Sequence, residues 1–189
     1  MDKTEILNRL KAGNNNFVNN RLKANRQDSI RREELLEGQD PFAIILSCAD
    51  SRVVPELIFD TGIGELFVVR VAGNIANTSS IASIEYAVAH LNAQVLAVLG
   101  HENCGAINAA MKGGNHGDNL SHLLSYLQPA ISASKNEGAN DIARTNAKLT
   151  VQELINRSAI IAKAAKSRNL VLLPAYYHLE SGRVDFLNL

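Results

Sequence analysis

The side chains best equipped for chemistry gather in two short stretches, Cys48-Ala49-Asp50-Ser51-Arg52 and His101-Glu102-Asn103-Cys104-Gly105. These hold both cysteines of the chain and one of its five histidines, with an acid and a base beside the first thiol. Thiolates and imidazole favour zinc over magnesium or calcium. Two cysteines and a histidine form one of the ligand sets of catalytic zinc, in which a fourth position stays open for water or substrate. Taken singly, each residue has a plainer reading. Cys48 reads as a small buried hydrophobe at a strand end, His101 as a loop histidine, and Asp50 with Arg52 as a surface ion pair of little energetic consequence. His90, His116, His122 and His178 read as surface or packing residues. A disulfide between cysteines so far apart is the weaker alternative, and without a Cys-x-x-Cys a dithiol redox site is weaker still.

The elements that must position these residues are strands. Phe42-Ala43-Ile44-Ile45-Leu46-Ser47 and Val95-Leu96-Ala97-Val98-Leu99 are apolar almost throughout, the pattern of strands buried on both faces, and each runs directly into one of the two motifs. Leu66 to Arg70 repeats the pattern, and Ser80 to Leu91 carries Ile81, Ile84, Tyr86, Val88 and Leu91 at helical intervals. Strands alternating with helices imply βαβ units and a parallel sheet, whose ligands gather at the carboxyl ends of the strands. Both motifs are therefore expected in one crevice. An amphipathic helix with an Asp2/Glu5 capping box is predicted from Asp2 to about Leu22, bent or split by Gly13-Asn14-Asn15-Asn16. A loop and short helix follow to Gly38, capped by Asp28 or Ser29. After Cys104, helices are predicted to about Lys112, from Asp118 to Tyr126 and from Asp141 to Lys166. A fourth buried strand begins near Leu170, and a turn at Ser181-Gly182 lets Val184 to Leu187 pair as an antiparallel edge. The expectation is a single α/β domain, residues 1–189, with a mainly parallel sheet of four strands plus that edge strand, flanked by helices. An N-terminal helical arm (1–37) precedes the core (42–189).

Composition narrows the partners. Nineteen Lys and Arg balance nineteen Asp and Glu, so no net field favours nucleic acid or an anionic membrane surface. No run approaches the roughly 20 apolar residues of a membrane span, and the polar start of the chain precedes no apolar signal region, which reads as a cytoplasmic protein.

The two motifs resemble the C-x-D-S-R and H-x-x-C-G signatures of the β-class carbonic anhydrases, in the family's order and at a family-like separation. The likeness continues through Pro55-Glu56, Gly64 to Arg70, Ala72-Gly73-Asn74 and Ile84 to Val88. It implies one Zn²⁺ per chain held by Cys48, His101 and Cys104, whose bound hydroxide attacks CO₂ to give bicarbonate. It also implies that Asp50 accepts a hydrogen bond from the zinc-bound water, or swings onto zinc as a displaceable fourth ligand, while Arg52 holds it away. Gln39, nine residues before the first cysteine, matches a glutamine of the plant-type members, and the same pattern assigns Phe67, Ala72 and Tyr86 to an apolar substrate pocket. Because the family builds that pocket partly from a second subunit, a homodimer or tetramer is implied. Ile45 stands where one branch carries the tryptophan of an inhibitory bicarbonate site, which implies an open site with the Asp50 to Arg52 pair formed. Val71 departs from the asparagine of many relatives. The alternatives are a related zinc hydrolase acting on CS₂ or COS, and a non-catalytic zinc protein, for which a fourth protein ligand and no Asp/Arg pair are expected.

Overall fold

A computed structural model describes residues 1–134, 137–167 and 169–189. In chain order the elements are α1 (Lys3–Val18), α2 (Ser29–Glu34), β1 (Ala43–Ser47), α3 (Pro55–Ile58), β2 (Leu66–Arg70), a single 3₁₀ turn (Ala72–Asn74), α4 (Thr78–His90) and β3 (Val95–His101). The chain continues with α5 (Gly105–Lys112), α6 (Asp118–Ser125), α7 (Gln128–Ala133), α8 (Ala139–Arg157), α9 (Ala159–Lys166), β4 (Val171–Tyr177) and β5 (Val184–Phe186). The five strands form one sheet in the order β2-β1-β3-β4-β5. All neighbours run parallel except β5, which pairs antiparallel with β4. This is the sheet expected from the hydrophobic runs.

The order of strands fixes where a site can form. From β1 the chain moves outward to β2, then returns to β3 on the opposite side of β1. Connections leaving the carboxyl ends of β1 and β3 thus diverge, which opens a crevice between them. Both strands are fully buried, whereas β2 is an edge strand whose Leu66, Phe67, Val68 and Val69 are half-buried.

Helices cover both faces of the sheet. On one, Ile81 and Ile84 of α4, Ala147, Val151 and Leu154 of α8 and Ile161 of α9 pack against Ile44, Leu46, Leu96 and Val98. On the other, Ile6 and Leu10 of α1 and Ile58 of α3 pack against Ala43, Ile45, Ala97 and Leu99.

Three local expectations needed correction. Helix α1 has its capping box, with Asp2 Oδ1 accepting from Glu5 N at 2.9 Å and Glu5 Oε2 from Asp2 N at 2.7 Å, but it runs unbroken through the Gly-Asn patch. The patch is a contact surface: a Cβ on Gly13 would sit 1.9 Å from the Phe59 carbonyl oxygen, so only glycine admits the crossing chain. Asn14 is buried beside it and bonds three backbone groups of other segments. Leu10 is fully buried, so α1 belongs to the core of its own chain and the exposed part of the expected arm is α2, which buries no residue. The helix expected from Asp141 to Lys166 divides at Ser158, whose extended backbone ends α8 and whose Oγ caps α9 by accepting from Ile161 N at 3.1 Å. No helix among the described residues is long and apolar enough to cross a membrane.

Candidate metal centre

Cys48 follows β1 directly, His101 is the last residue of β3, and Cys104 is the N-cap of α5. Parallel pairing of Ser47 with Leu99 puts the two strand ends side by side. Beyond β3 the chain must reverse into α5 within two residues, and Asn103 does so in the left-handed region at φ 51, where asparagine is tolerated better than most residues. The Asn140 side chain fixes that turn by accepting from Asn103 N at 2.9 Å. Gly100, one residue before His101, lets α8 approach: a Cβ there would lie 2.9 Å from the Ala143 carbonyl oxygen.

The outcome is a cluster in which Cys48 Sγ, Cys104 Sγ and a ring nitrogen of His101 lie within 4.8 Å of one another, all buried. Both thiols are free. His101 Nδ1 lies 2.8 Å from the Glu102 carbonyl oxygen, which can only accept, so Nδ1 carries the proton and donates. That tautomer leaves a lone pair on Nε2, which is fully buried and has no hydrogen-bond partner. An orphaned buried acceptor aimed at two sulfurs costs free energy unless something electrophilic sits among them. A metal ion meets that need, and backbone support of the far ring nitrogen is the usual companion of a ligating histidine. The neighbouring Cys104 thiol is the largest influence lowering the Cys48 thiol below its ordinary value, against burial and with help from the amide of Gly73. The Cys104 thiol is raised by its Cys48 neighbour and by burial. Cysteine ligates a metal as the thiolate, so binding a cation between these two sulfurs releases protons.

Asp50 and Arg52 form the rim. Arg52 grips the carboxylate with Nε to Oδ1 at 2.9 Å and a terminal nitrogen to Oδ2 at 2.8 Å, and its own backbone N–H donates to Oδ1 at 3.0 Å. The same guanidinium reaches the Asn103 carbonyl at 3.3 Å, joining the two motif loops. This guanidinium holds the Asp50 carboxyl well below the usual carboxylate range. Asp50 Oδ2 stands 4.0 Å from His101 Nε2, at the mouth of the cluster.

Several residues that sequence patterns did not single out complete the support. Arg70, at the end of β2, donates to the carbonyls of Cys48 (3.2 Å) and Asp50 (2.7 Å), clamping the backbone that carries both side chains. Gly73 N donates to Cys48 Sγ at 3.3 Å, and the buried Asn146 of α8 donates to the Gly73 carbonyl at 2.9 Å. Arg70 ends a strand level with Ser47, a placement that strand pairing could have suggested; nothing in the sequence around Asn146 marks it.

Three of the four expected pocket residues are not brought together with the cluster. Ala72 precedes Gly73 in the 3₁₀ turn and is near it in the chain. Gln39 is exposed at the amino end of β1, and five strand residues at about 3.3 Å each separate it from the carboxyl end where Cys48 sits. Phe67 pairs with Ile44 near the beginning of β1, and its ring lies 6.4 Å from that of Tyr86, which is 50% exposed. Phe67 and Tyr86 thus form an aromatic patch at the open edge of the sheet, about three residue levels before its carboxyl end.

The comparisons with known proteins agree with this geometry. The family model described as Carbonic anhydrase matches residues 43–184. The chain is 36% identical over 181 residues to carbonic anhydrase 2 of Mycobacterium tuberculosis, covering 92% of this chain and 87% of that one. It superimposes on a tetrameric β-carbonic anhydrase of Sordaria macrospora with a TM-score of 0.77 at 24% identity, covering 98% of each chain. A Coccomyxa β-carbonic anhydrase in complex with acetazolamide gives a TM-score of 0.75 at 26% identity, over 85% of this chain and 78% of that one. With its motifs at the carboxyl ends of β1 and β3, and this likeness along nearly its whole length, the chain belongs to the β-class carbonic anhydrase family.

Proposed function

We propose that this chain catalyses the reversible hydration of CO₂ to bicarbonate and a proton, with one Zn²⁺ held by Cys48, His101 and Cys104. The observation that carries the reading is the buried, unpartnered Nε2 of His101 facing two sulfurs, with Asp50 clamped by Arg52 at the mouth. Zinc in a Cys₂His set supplies a Lewis acid that lowers the pKa of water toward about 7, so that a nucleophile exists at neutral pH. Asp50 stays ionised and can only accept, so it orients the hydrogen of a hydroxyl nucleophile and turns the oxygen lone pair toward the substrate carbon. Arg52 keeps Asp50 in that post, because a bidentate grip leaves the carboxylate less free to swing onto the metal. Arg70 keeps the loop from shifting under both.

The separation of Gln39, Phe67 and Tyr86 from the cluster within one chain supports a shared pocket, in which these three residues serve the cluster of a second copy. Phe67 and Tyr86 would give an apolar wall suited to CO₂ and the Gln39 amide a donor for a bicarbonate oxygen. The open edge of β2 and the exposed Ile30 and Leu36 in and after α2 offer the surface for that copy, and the Sordaria macrospora relative is tetrameric. Two buried free thiols suit the reducing environment of the cytoplasm.

The deciding experiment is a CO₂ hydration assay beside a zinc determination. The wild-type chain is expected to carry about one zinc and to be active, and Cys48→Ser, His101→Ala and Cys104→Ser each to lose the metal. Full zinc occupancy in any of the three variants would remove that residue from the ligand set, and an inactive zinc-loaded wild type would overturn the activity.

A further inference from the structure

The 3₁₀ turn that supports Cys48 is itself propped from α8. Asn146 sits in the middle of that helix, 3% exposed, on the face that also carries the buried Ala143, Ala147 and Val151. A buried amide among apolar neighbours costs free energy unless it is hydrogen-bonded, and asparagine gains little in a helix interior. Its Nδ2 donates to the Gly73 carbonyl at 2.9 Å.

Gly73 is in the left-handed region, φ 72 and ψ 14, and a Cβ there would press to 3.1 Å on Leu127. The turn closes through Asn74 N donating to the Val71 carbonyl at 2.9 Å. With the carbonyl of Gly73 held by Asn146 and the next amide held by Val71, the remaining freedom of the turn is small. The Gly73 N–H is left pointing at Cys48 Sγ, 3.3 Å away. Other amides that act on the two sulfurs electrostatically are those of Asp50, for Cys48, and of Ala106 and Ile107, for Cys104. Those three are local, within three residues of their cysteine. The Gly73 amide is 25 residues distant and needs a tertiary prop.

We propose that Asn146 is a positioning residue for the metal centre: by holding the Gly73 carbonyl it keeps the Gly73 N–H on Cys48 Sγ, and so limits the charge that this thiolate gives to a bound metal ion. The inference rests on the reading of Cys48 as a metal ligand. The chemistry is direct. A hydrogen bond into a thiolate lone pair withdraws electron density from sulfur, and a less generous sulfur leaves the metal a stronger Lewis acid. Two unmodulated thiolates would work against the acidity that the proposed reaction needs.

The test uses Co²⁺ in place of the native metal in the full-length protein, because thiolate-to-cobalt charge-transfer bands report sulfur donation without reference to turnover. Asn146→Leu removes the donor at similar volume, and Asn146→Ser is a compact polar variant, too short to reach Gly73, that keeps the experiment readable if leucine does not fold. Val151→Ala loosens the same helix five residues on while leaving the Asn146 side chain and its bond to Gly73 in place. Both Asn146 variants are expected to move the charge-transfer band to lower energy and raise the midpoint of the pH–rate profile, with Val151→Ala unchanged in band position. A band unaltered in the folded Asn146 variants, or shifted equally in Val151→Ala, would overturn the positioning role. A wild-type cobalt protein with no such band would overturn the assignment of Cys48 as a ligand, and this inference with it.

Discussion

The substitution Asn14→Leu probes how a polar residue in the middle of α1 holds the amino-terminal helix to the rest of the fold. Asn14 Nδ2 donates to the carbonyls of Gly182 (2.8 Å) and Ile58 (3.2 Å), and its Oδ1 accepts from Val184 N at 2.9 Å. All three partners belong to buried residues. Leucine fills a similar volume and is the better helix former, by up to about 0.7 kcal/mol. Against that gain, three buried backbone groups lose their partner, at about 1–3 kcal/mol each before the surroundings relax. The groups are neighbours and do not add fully, so a net loss of about 3–5 kcal/mol is expected, a large part of the roughly 5–15 kcal/mol that holds a domain together. Urea unfolding at a fixed protein concentration measures it, as a lower midpoint with an unchanged slope. A loss below about 1 kcal/mol would refute the claim that Asn14 is a structural joint.

Asp50→Ala is expected to retain about one zinc per chain while losing roughly 10- to 100-fold in CO₂ hydration, and wild-type turnover would remove Asp50 from the mechanism. Phe67→Ala with Tyr86→Ala is expected to lower both activity and association in sedimentation, whereas a fully active monomer would contradict the shared pocket. Gly13→Ala should destabilise by more than the helix propensity it gains, since its Cβ meets the Phe59 carbonyl, and thermal unfolding reads the sign directly. Burial raises the Asp185 carboxyl, but the hydrogen bond from His178 and the charges of Arg183, His178 and Arg144 outweigh it and set it below its ordinary value. Its stabilisation is therefore present above about pH 4 and fades as pH falls through the depressed value, so the destabilisation by Asp185→Asn should shrink toward pH 3. Equal destabilisation at pH 7 and pH 3 would refute that account.

The sequence by itself determined the strands, the parallel sheet and the meeting of Cys48, His101 and Cys104 at one end of it. Runs such as Ala43 to Ser47 are apolar on both faces, a pattern that suits a covered central strand, and each core strand delivers its motif to the carboxyl end of the sheet. Helix starts were legible where the cap is local, as in the Asp2/Glu5 box. Only the tertiary structure decided what depends on contacts distant in the chain. Gly13-Asn14 resembles a helix breaker until Phe59 and the β4–β5 turn are packed against it, because propensity carries no information about what a side chain will meet. Asn146 looks like any polar helix residue until α8 crosses the turn after β2, 73 residues earlier in the chain. Phe67 and Tyr86 illustrate the same limit at a larger scale. Their spacing suits ordinary core packing, and it is the position of β2 at the edge of the sheet that leaves Phe67 half-buried, Tyr86 exposed and both away from their own chain's cluster. Periodicity reports which face of an element is apolar, whereas the neighbour that covers the face is chosen by the global packing, to which every element contributes.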